Sequence, residues 1–197
     1  MKKSELVRKI LHIIIGVIVV ALIYYNILNP MIIFWLLVFG IVCSLLCKRF
    51  NVPVLSWVLK KCDRKENIDS FPGKGAIFFA AGVLLALQLF RRDIALASIM
   101  ILSLGDSVSH IVGKSYGSTS INSNGKKKLE GTIAGIAAGF LGALFFVNPW
   151  YALVGSAGAM LVETFEFDLN KRAVDDNIIV PLAAGTLMLL MGIYFGV

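Results

Sequence analysis

The sequence contains few charged residues, few cysteines and few histidines. Charged residues make up 16% of its 197 positions, whereas soluble domains carry about a quarter, and this deficit argues against an ordinary soluble protein. The three cysteines are too few for a disulfide-stabilised scaffold. The two histidines have no second histidine or cysteine at metal-ligand spacing, so no zinc site is predicted.

Apolar residues, in contrast, make up 58% of the chain. They are concentrated in seven runs, at roughly 10–25, 31–47, 75–90, 94–113, 132–147, 149–163 and 178–196. Several runs are shorter than the ~20 residues that an upright span needs, so we expect adjoining residues to extend them. The sequence therefore predicts an all-α, polytopic membrane protein with about seven transmembrane helices. Little of the chain is left for a separate soluble domain, and residues 1–197 are predicted to form a single domain.

The positive charges are distributed unevenly along these predicted helices. Seventeen of the 19 lysine and arginine residues fall on one side, in the segments 1–9, 48–74, 114–131 and 164–177. By the positive-inside rule, the N-terminus and every long loop are predicted to be cytoplasmic. The net charge of +7 is then explained by the orientation of the protein in the membrane and by contact with anionic lipid headgroups. No nucleic acid partner is predicted. Residues 52–61, with Trp57 and two lysines, predict a short interfacial helix.

One acidic residue lies inside an apolar run. Asp106 is flanked by apolar sequence, with Ser107, Ser109 and His110 close by. An ionisable side chain at that depth costs ~3 kcal/mol or more, so it normally faces a cavity or a charged partner and is functional. His110 fits a hydrogen-bonded packing residue as well as a catalytic one.

A lysine-rich loop follows that run. It contains Gly113, Lys114 and Gly117, then a polar stretch, and then Lys126, Lys127, Lys128, Glu130 and Gly131. Glycines that expose backbone N–H groups beside lysines, at the start of a helix, form a plausible phosphate-binding loop. The spacing is not that of a P-loop.

The last predicted cytoplasmic loop is acidic and should face the lysine-rich loop. It contains Glu163, Glu166, Asp168, Asp175, Asp176 and Asn177. Carboxylate and amide oxygens are ligands suited to Mg²⁺. We prefer Glu163, Asp176 and Asn177 as ligands, because they fall at predicted helix ends, and expect Glu166 and Asp168 to be solvated.

The N-terminal segment brings a polar face to the first helix. Glu5, Arg8, Lys9 and His12 are spaced three or four residues apart, which places them on one side of a helix. Anchoring at the membrane surface explains Arg8 and Lys9, but it does not explain His12 inside the apolar run.

Six motifs, in order, resemble those of the polyprenol kinase family, which includes dolichol kinase, phytol kinase and the CTP-dependent diacylglycerol kinase. They are Glu5-x-x-Arg8-Lys9-x-x-His12, Pro72-x-Lys74-Gly75, Gly105-Asp106-Ser107, Gly113-Lys114-x-Tyr116-Gly117, Lys127-x-x-Glu130-Gly131-Thr132 and Asp176-Asn177-x-x-x-Pro181. The resemblance extends over residues 5 to 181. Two positions depart from the family pattern. The family usually has alanine where Ser109 stands, and serine or threonine where Lys128 stands.

The resemblance implies a phosphotransferase that moves the γ-phosphate of a nucleotide, often CTP, to a lipid alcohol such as a polyprenol, phytol, geranylgeraniol or diacylglycerol. It implies Mg²⁺ and a cytoplasmic active site in a multi-pass protein of a prokaryotic cell membrane or an ER-type membrane. The resemblance also implies roles for individual residues. Asp106 is expected to bind the metal or to orient the acceptor hydroxyl, and the metal site is expected to be completed by Glu130, Glu163, Asp176 and Asn177. Phosphate contacts are expected from Lys114, Lys127 and Lys128 with Gly113, Gly117 and Gly131, and the outer rim of the site is expected to consist of Arg8, Lys9 and Lys74.

Two other functions fit parts of this pattern. A CTP-dependent cytidylyltransferase, which makes a CDP-activated lipid, is also polytopic and uses carboxylates at the membrane edge. The element Asp175-Asp176-Asn177 favours the kinase. A small transporter could use Asp106 as an ion site, but the sequence contains no repeat and its other polar groups gather at the cytoplasmic ends. The acceptor lipid, the nucleotide base and the oligomeric state stay open.

Overall fold

The computed structural model describes residues 3–49, 71–121, 127–164, 168–169 and 172–195, and these are mostly helical. The helices are α1 (Lys3–Tyr24), α2 (Pro30–Arg49), α3 (Lys74–Leu89), α4 (Arg92–Met100), α5 (Ser107–Tyr116), α6 (Leu129–Ala143), α7 (Pro149–Thr164) and α8 (Asp176–Phe195). A π-helical segment, Ile101–Asp106, joins α4 to α5 without a break. Each of the seven predicted apolar runs therefore corresponds to one continuous helical stretch, and the run 94–113 corresponds to α4, the π-helical segment and α5 together.

Two short strands also lie in the described ranges. They are β1 (Asp168–Leu169) and β2 (Arg172–Ala173), and they pair antiparallel with Asp168 opposite Ala173. The predicted interfacial helix at 52–61 and the predicted solvated residue Glu166 lie outside the described residues.

Four helical stretches of the described chain are long and apolar enough to cross a membrane by length and composition. They are Lys3–Tyr24, Pro30–Cys47, Arg92–Tyr116 and Asp176–Tyr194. The other three helices, α3, α6 and α7, have 15 or 16 residues, or ~24 Å, which is shorter than the ~30 Å hydrocarbon core. The chain is a membrane protein, whereas seven full spans and a cytoplasmic N-terminus stay predictions.

The outer helices present apolar side chains to their surroundings. On α2, Trp35 is 62% and Phe39 is 67% exposed, and α1 exposes Ile14, Ile15 and Ile18. Exposed apolar surface of this extent is unusual in a soluble monomer, and it fits contact with lipid tails.

The continuous rod of α4, the π-helical segment and α5 lies at the centre of the helix bundle. Ile99, Ile101 and Leu102 in this rod are fully buried, and the rod contacts α1, α3, α6, α7 and α8. Because the rod is central, it carries Asp106 into the interior of the protein, where the residue is 5% exposed.

Glycines allow the neighbouring helices to approach this rod closely. A Cβ atom at Gly135 of α6 would lie 2.7 Å from Cβ of Ser109, and one at Gly142 would lie 2.6 Å from Cδ1 of Leu104. On the other side of the rod, a Cβ atom at Gly16 of α1 would overlap Ser103. The glycines of α6 therefore allow close helix packing.

Candidate active site

Three carboxylates from distant parts of the chain meet at one end of the bundle. Asp106 ends the π-helical segment, Glu163 lies in the last turn of α7, and Asp176 begins α8. One carboxylate oxygen from each lies within 4.8 Å of those of the other two. Asp106 is 5% and Glu163 is 4% exposed. Asp176 is partly buried. Three acids this close, in surroundings that exclude much of the solvent, repel one another unless cations neutralise them.

The local backbone explains how Asp106 reaches this position. A π-helical turn shifts the register of the residues that follow it, and such turns occur frequently at functional sites. Gly105 precedes Asp106, and a Cβ atom there would lie 3.2 Å from the carbonyl oxygen of Gly135 and 3.3 Å from Sδ of Met160. The absence of a side chain at Gly105 thus allows α6 and α7 to pack directly against the segment that carries the acid.

Two lysines neutralise part of this negative charge. Nζ of Lys9 donates to Oδ2 of Asp106 at 2.6 Å, and Nζ of Lys127 donates to Oε1 of Glu163. Their side chains are 11% and 21% exposed. Burial acts to lower the pKa of Lys127, but the carboxylates of Glu163 and Asp176 outweigh it and hold that pKa above its ordinary value. Lys127 is therefore a cation that faces the acids, as the sequence predicted for the two loops.

Some polar atoms at this site have no partner among the described residues. Oε2 of Glu163 and Oγ of Ser107 are buried without a hydrogen bond there. An unsatisfied buried polar atom costs about 1–3 kcal/mol, and more if it is charged. A cation at the three carboxylates would satisfy Oε2 of Glu163, and an all-oxygen donor set suits Mg²⁺. The residues present thus fit a magnesium ion.

A second set of charges surrounds the three carboxylates. Oε1 of Glu5 accepts from Nζ of Lys114 at 2.5 Å and lies 3.2 Å from Nε2 of His110 and 4.0 Å from Nη2 of Arg8. These contacts join the start of α1 to α5, and they hold the cations at the perimeter of the site.

Lys74, at the start of α3, makes a similar contact. Its Nζ atom lies 3.7 Å from Oδ2 of Asp175 and 5.3 Å from the ring centre of Phe78. Helix ends from α1, α3, α5, α6, α7 and α8 therefore converge on one polar region.

Comparisons with known proteins identify relatives of this chain. It is 32% identical over 181 residues to an uncharacterised protein of Methanocaldococcus jannaschii, an alignment that covers 90% of this chain and 88% of the relative. It is 26% identical over 197 residues to CTP-dependent diacylglycerol kinase 1 of Saccharomyces cerevisiae. It is also 32% identical over 124 residues to the probable chloroplastic phytol kinase 3 of Glycine max.

This chain belongs to the polyprenol kinase family. The resemblance that the sequence motifs indicated is thus confirmed. The alignments cover 93% of this chain and 66% of the yeast kinase, and 56% of this chain and 39% of the soybean kinase, so the chain spans less than two thirds of these named relatives. No family model matches the chain, and no solved structure matches it.

Within this polyprenol kinase family member, Glu130 differs from its expected place at the metal. Its Oε1 atom accepts from the backbone N–H of Ser118 at 3.0 Å, from the hydroxyl of Ser118 at 2.6 Å and from the backbone N–H of Thr119 at 3.0 Å. It is not one of the three clustered carboxylates. The carboxylate of Glu130 thus anchors the loop that follows α5, and its expected role in catalysis at the metal stays a prediction.

Two of the predicted phosphate-binding glycines lie in a helix crossing. A Cβ atom at Gly131 would lie 2.5 Å from the carbonyl oxygen of Ser109 and 2.8 Å from Cα of Gly113. The backbones of α5 and α6 touch at this point, so Gly113 and Gly131 lie at a packing contact and not in an open anion-binding loop. Gly117 ends α5 and donates its N–H to the carbonyl of Gly113 at 3.2 Å.

Two further predicted residues make contacts within the polar region. Lys128 donates to Oγ of Ser120 at 2.8 Å, and the two residues form an isolated antiparallel bridge. Asn177 donates its side-chain amide to Oδ1 of Asp175 at 2.7 Å. In this arrangement Asn177 orders the start of α8, and its Nδ2 atom is engaged by Asp175.

Sequence reasoning gave no role to Glu5 or Asp175. Glu5 holds Lys114, and Asp175 contacts Lys74 and Asn177. The signal for Glu5 was its helical spacing to Arg8 and Lys9, which puts all three on one face. No sequence pattern pairs Asp175 with Lys74, because that contact depends on how α3 packs against α8.

Two cavities open at the opposite end of the bundle. Their volumes are about 840 and 620 Å³, and Arg91, Asp93, Phe145 and Phe146 line both of them. None of the three clustered carboxylates lines either cavity. The clustered carboxylates stay the candidate active site, because a metal site is defined by its oxygen ligands and their charge, and not by cavity volume.

Proposed function

We propose that this protein is a lipid-alcohol kinase that transfers the γ-phosphate of a nucleoside triphosphate, CTP, to the hydroxyl of a membrane lipid. The observation that carries the proposal is the meeting of Asp106, Glu163 and Asp176 with the partly buried lysines Lys9 and Lys127 at one end of the helix bundle. Transfer of a phosphoryl group needs metal ligands and cations in fixed positions more than it needs a covalent nucleophile. The diacylglycerol and phytol kinases among the relatives support the same chemistry.

The three carboxylates are the residues that would hold Mg²⁺. Bound there, Mg²⁺ neutralises negative charge on the phosphates of the donor and on the group in transfer. In the overall reaction, the acceptor oxygen forms a bond to the γ-phosphorus, and the bond from that phosphorus to the β-phosphate oxygen breaks. The products are a lipid monophosphate, the nucleoside diphosphate and a proton.

The cations of the polar region bind the donor phosphates in this proposal. Lys9 and Lys127 lie against the carboxylates, and Lys114, Arg8 and Lys74 lie at the perimeter. Each of them faces an acid, so positive charge is already held where the phosphates arrive, and little reorganisation is needed.

The position of the site suits a lipid acceptor. The three acids lie at helix ends of a bundle whose outer faces are apolar, so a hydroxyl that arrives from the bilayer meets a nucleotide that arrives from water. The distribution of lysine and arginine supports a cytoplasmic position for this end of the bundle, where nucleotides are available.

The test is an assay of the purified full-length protein in detergent with Mg²⁺ and γ-labelled CTP or ATP. The acceptors are phytol, geranylgeraniol, dolichol and diacylglycerol. We expect label in a lipid monophosphate, and Glu163→Gln should reduce the rate by roughly 10²-fold or more, because a metal ligand contributes several kcal/mol. The matched control is Asp93→Asn, an acid that pairs with Arg91 at the opposite end of the bundle, which should retain the wild-type rate.

The assay also separates the kinase from the alternative. A cytidylyltransferase would release pyrophosphate from CTP and form a CDP-lipid when given a phosphorylated lipid. If no acceptor becomes labelled and pyrophosphate appears with that substrate, the kinase is rejected and the cytidylyltransferase takes its place.

A further inference from the structure

His12 lies on α1 one turn beyond Lys9, on the face that meets the π-helical segment. Two contacts define this face. Lys9 binds Asp106 at one end of the segment, and Gly16 packs against Ser103 in its middle. His12 falls between Lys9 and Gly16 in the helical repeat, so it lies alongside the segment that carries Asp106.

The imidazole of His12 is held in place but lacks a hydrogen-bond partner. Its ring packs edge-on against Phe79 of α3, with 5.1 Å between ring centres and an angle of 75°. Its Nε2 atom is buried and makes no hydrogen bond to any part of the chain that the structure describes. A buried polar atom without a partner costs about 1–3 kcal/mol, and an apolar side chain would avoid that cost.

The surroundings of His12 are charged on one side and apolar on the other. Asp106, Lys9, Asp175 and Arg8 are the charged groups that act on it. On the other side, Ile15 lies about one turn further along α1 and is 50% exposed. His12 thus lies where the polar site gives way to apolar surface.

We propose that Nε2 of His12 is the hydrogen-bonding partner of the acceptor hydroxyl, an inference that rests on the proposed kinase function. Three residues of helix rise about 4.5 Å, which places His12 deeper in the bilayer than Lys9 and on the side from which a lipid alcohol arrives. A hydroxyl both donates and accepts, so it satisfies Nε2 in either tautomer of the imidazole. The apolar tail then continues along the exposed surface beyond Ile15.

The other histidine offers a matched comparison. His110 also lies at this end of the bundle, but its Nε2 atom is already 3.2 Å from Oε1 of Glu5. His110 therefore has a partner within the protein, and we expect it to keep that partner when the acceptor binds.

The first experiment observes the two imidazoles directly. The chain contains two histidines, so protein labelled with ¹⁵N-histidine gives two sets of ring signals, which His12→Gln and His110→Gln variants assign. The full-length protein is saturated with Mg²⁺ and a non-hydrolysable CTP analogue, and the lipid alcohol that became labelled in the assay above is then added. We expect the Nε2 signal of His12 to shift and that of His110 to stay in place. An unchanged His12 signal at saturating acceptor rejects the inference.

The second experiment compares the kinetic constants of His12→Leu and His12→Gln. The loss of one hydrogen bond to the acceptor should reduce kcat/KM for the lipid alcohol roughly 10- to 100-fold in His12→Leu, with KM for CTP nearly unchanged. His12→Gln retains a hydrogen-bonding group on a side chain of similar reach, and should recover most of the lost activity. Equal losses for acceptor and nucleotide, or no loss at all, would contradict the inference.

These outcomes separate the inference from the function on which it rests. If the wild-type protein phosphorylates no lipid alcohol, the proposed function fails and the inference fails with it. If the wild-type protein is active and His12→Leu matches it, the kinase stands and only the role of His12 is rejected.

Discussion

The Nζ atom of Lys9 lies 2.6 Å from Oδ2 of Asp106, a residue 97 positions later in the chain. Lys127 makes the equivalent contact with Glu163. Each lysine thus occupies a carboxylate that we assign to the metal. In the proposed function, a Mg²⁺ ion held by Asp106 and Glu163 would supply the positive charge that the two lysines supply here, and the lysines could then contact the donor phosphates.

Removal of Lys9 should therefore make the stability of the protein depend on the metal. Lys9→Met leaves Asp106 buried without its cation, which destabilises a protein by about 3–5 kcal/mol. A bound divalent ion supplies that missing charge. We expect the thermal midpoint of Lys9→Met in detergent to lie well below that of the wild type without Mg²⁺, and to rise more than the wild-type midpoint when Mg²⁺ or Mn²⁺ is added.

The control for that experiment is Lys3→Met, because Lys3 is also on α1 but is exposed. Its midpoint should match the wild type with and without the metal. If Lys9→Met shows the same response to Mg²⁺ as the wild type, Asp106 is not a metal ligand.

Substitution of Glu130 and substitution of Glu163 should affect the Mg²⁺ dependence of the kinase rate differently. Glu130→Gln weakens the contacts to Ser118 and Thr119 but leaves the three clustered carboxylates intact. We expect a loss of less than roughly tenfold, since neutral hydrogen bonds remain possible, and an unchanged dependence of the rate on Mg²⁺ concentration. Glu163→Gln should shift that dependence to higher Mg²⁺. A shift of similar size in Glu130→Gln would restore Glu130 to the metal site.

The sequence predicted the helices more completely than it predicted the site. The seven apolar runs correspond to seven continuous helical stretches, because burial in lipid or protein requires long apolar segments whatever their neighbours are. The sequence also singled out Asp106, Glu163 and Asp176, because acids at the ends of apolar helices are energetically costly and therefore informative. It could not show that these three acids meet, since that depends on how α7 and α8 pack against the central rod.

The sequence alone also leaves the role of Gly131 undecided, and a phosphate contact there stays a prediction. A glycine beside a lysine at the start of a helix fits a phosphate-binding loop, and Gly131 has that setting. The structure places Gly131 against Gly113 and Ser109. Local sequence does not distinguish an N–H that faces a ligand from one that faces a neighbouring helix, because both need a residue without a side chain.

That packing contact gives a prediction on stability. Gly131→Ala places a methyl group 2.5 Å from the carbonyl oxygen of Ser109, which forces α5 and α6 apart. Overpacking costs about 1–3 kcal/mol, which corresponds to roughly 2–12 °C in the thermal midpoint for a protein of this size. Gly40→Ala is the control, because a methyl group there meets Cγ1 of Ile77 at 3.5 Å, an ordinary contact. Equal midpoints for the two variants would show that α5 and α6 are not in close contact at Gly131.

Lys114 provides the prediction on nucleotide binding. Its Nζ atom is held by Oε1 of Glu5 at 2.5 Å, but its side chain is 44% exposed, so solvent reduces the strength of any phosphate contact it makes. We expect Lys114→Met to raise KM for CTP by roughly 3- to 10-fold, with KM for the lipid alcohol unchanged. Glu5→Gln should have a smaller effect in the same direction, because Lys114 keeps its charge and loses only its ion-pair partner.

The control for this prediction is ionic strength. Since salt screens exposed charges, the difference in KM for CTP between wild type and Lys114→Met should shrink as ionic strength rises. A difference that persists at high salt would mean that Lys114 acts through the packing of α5 against α1, and not through its charge.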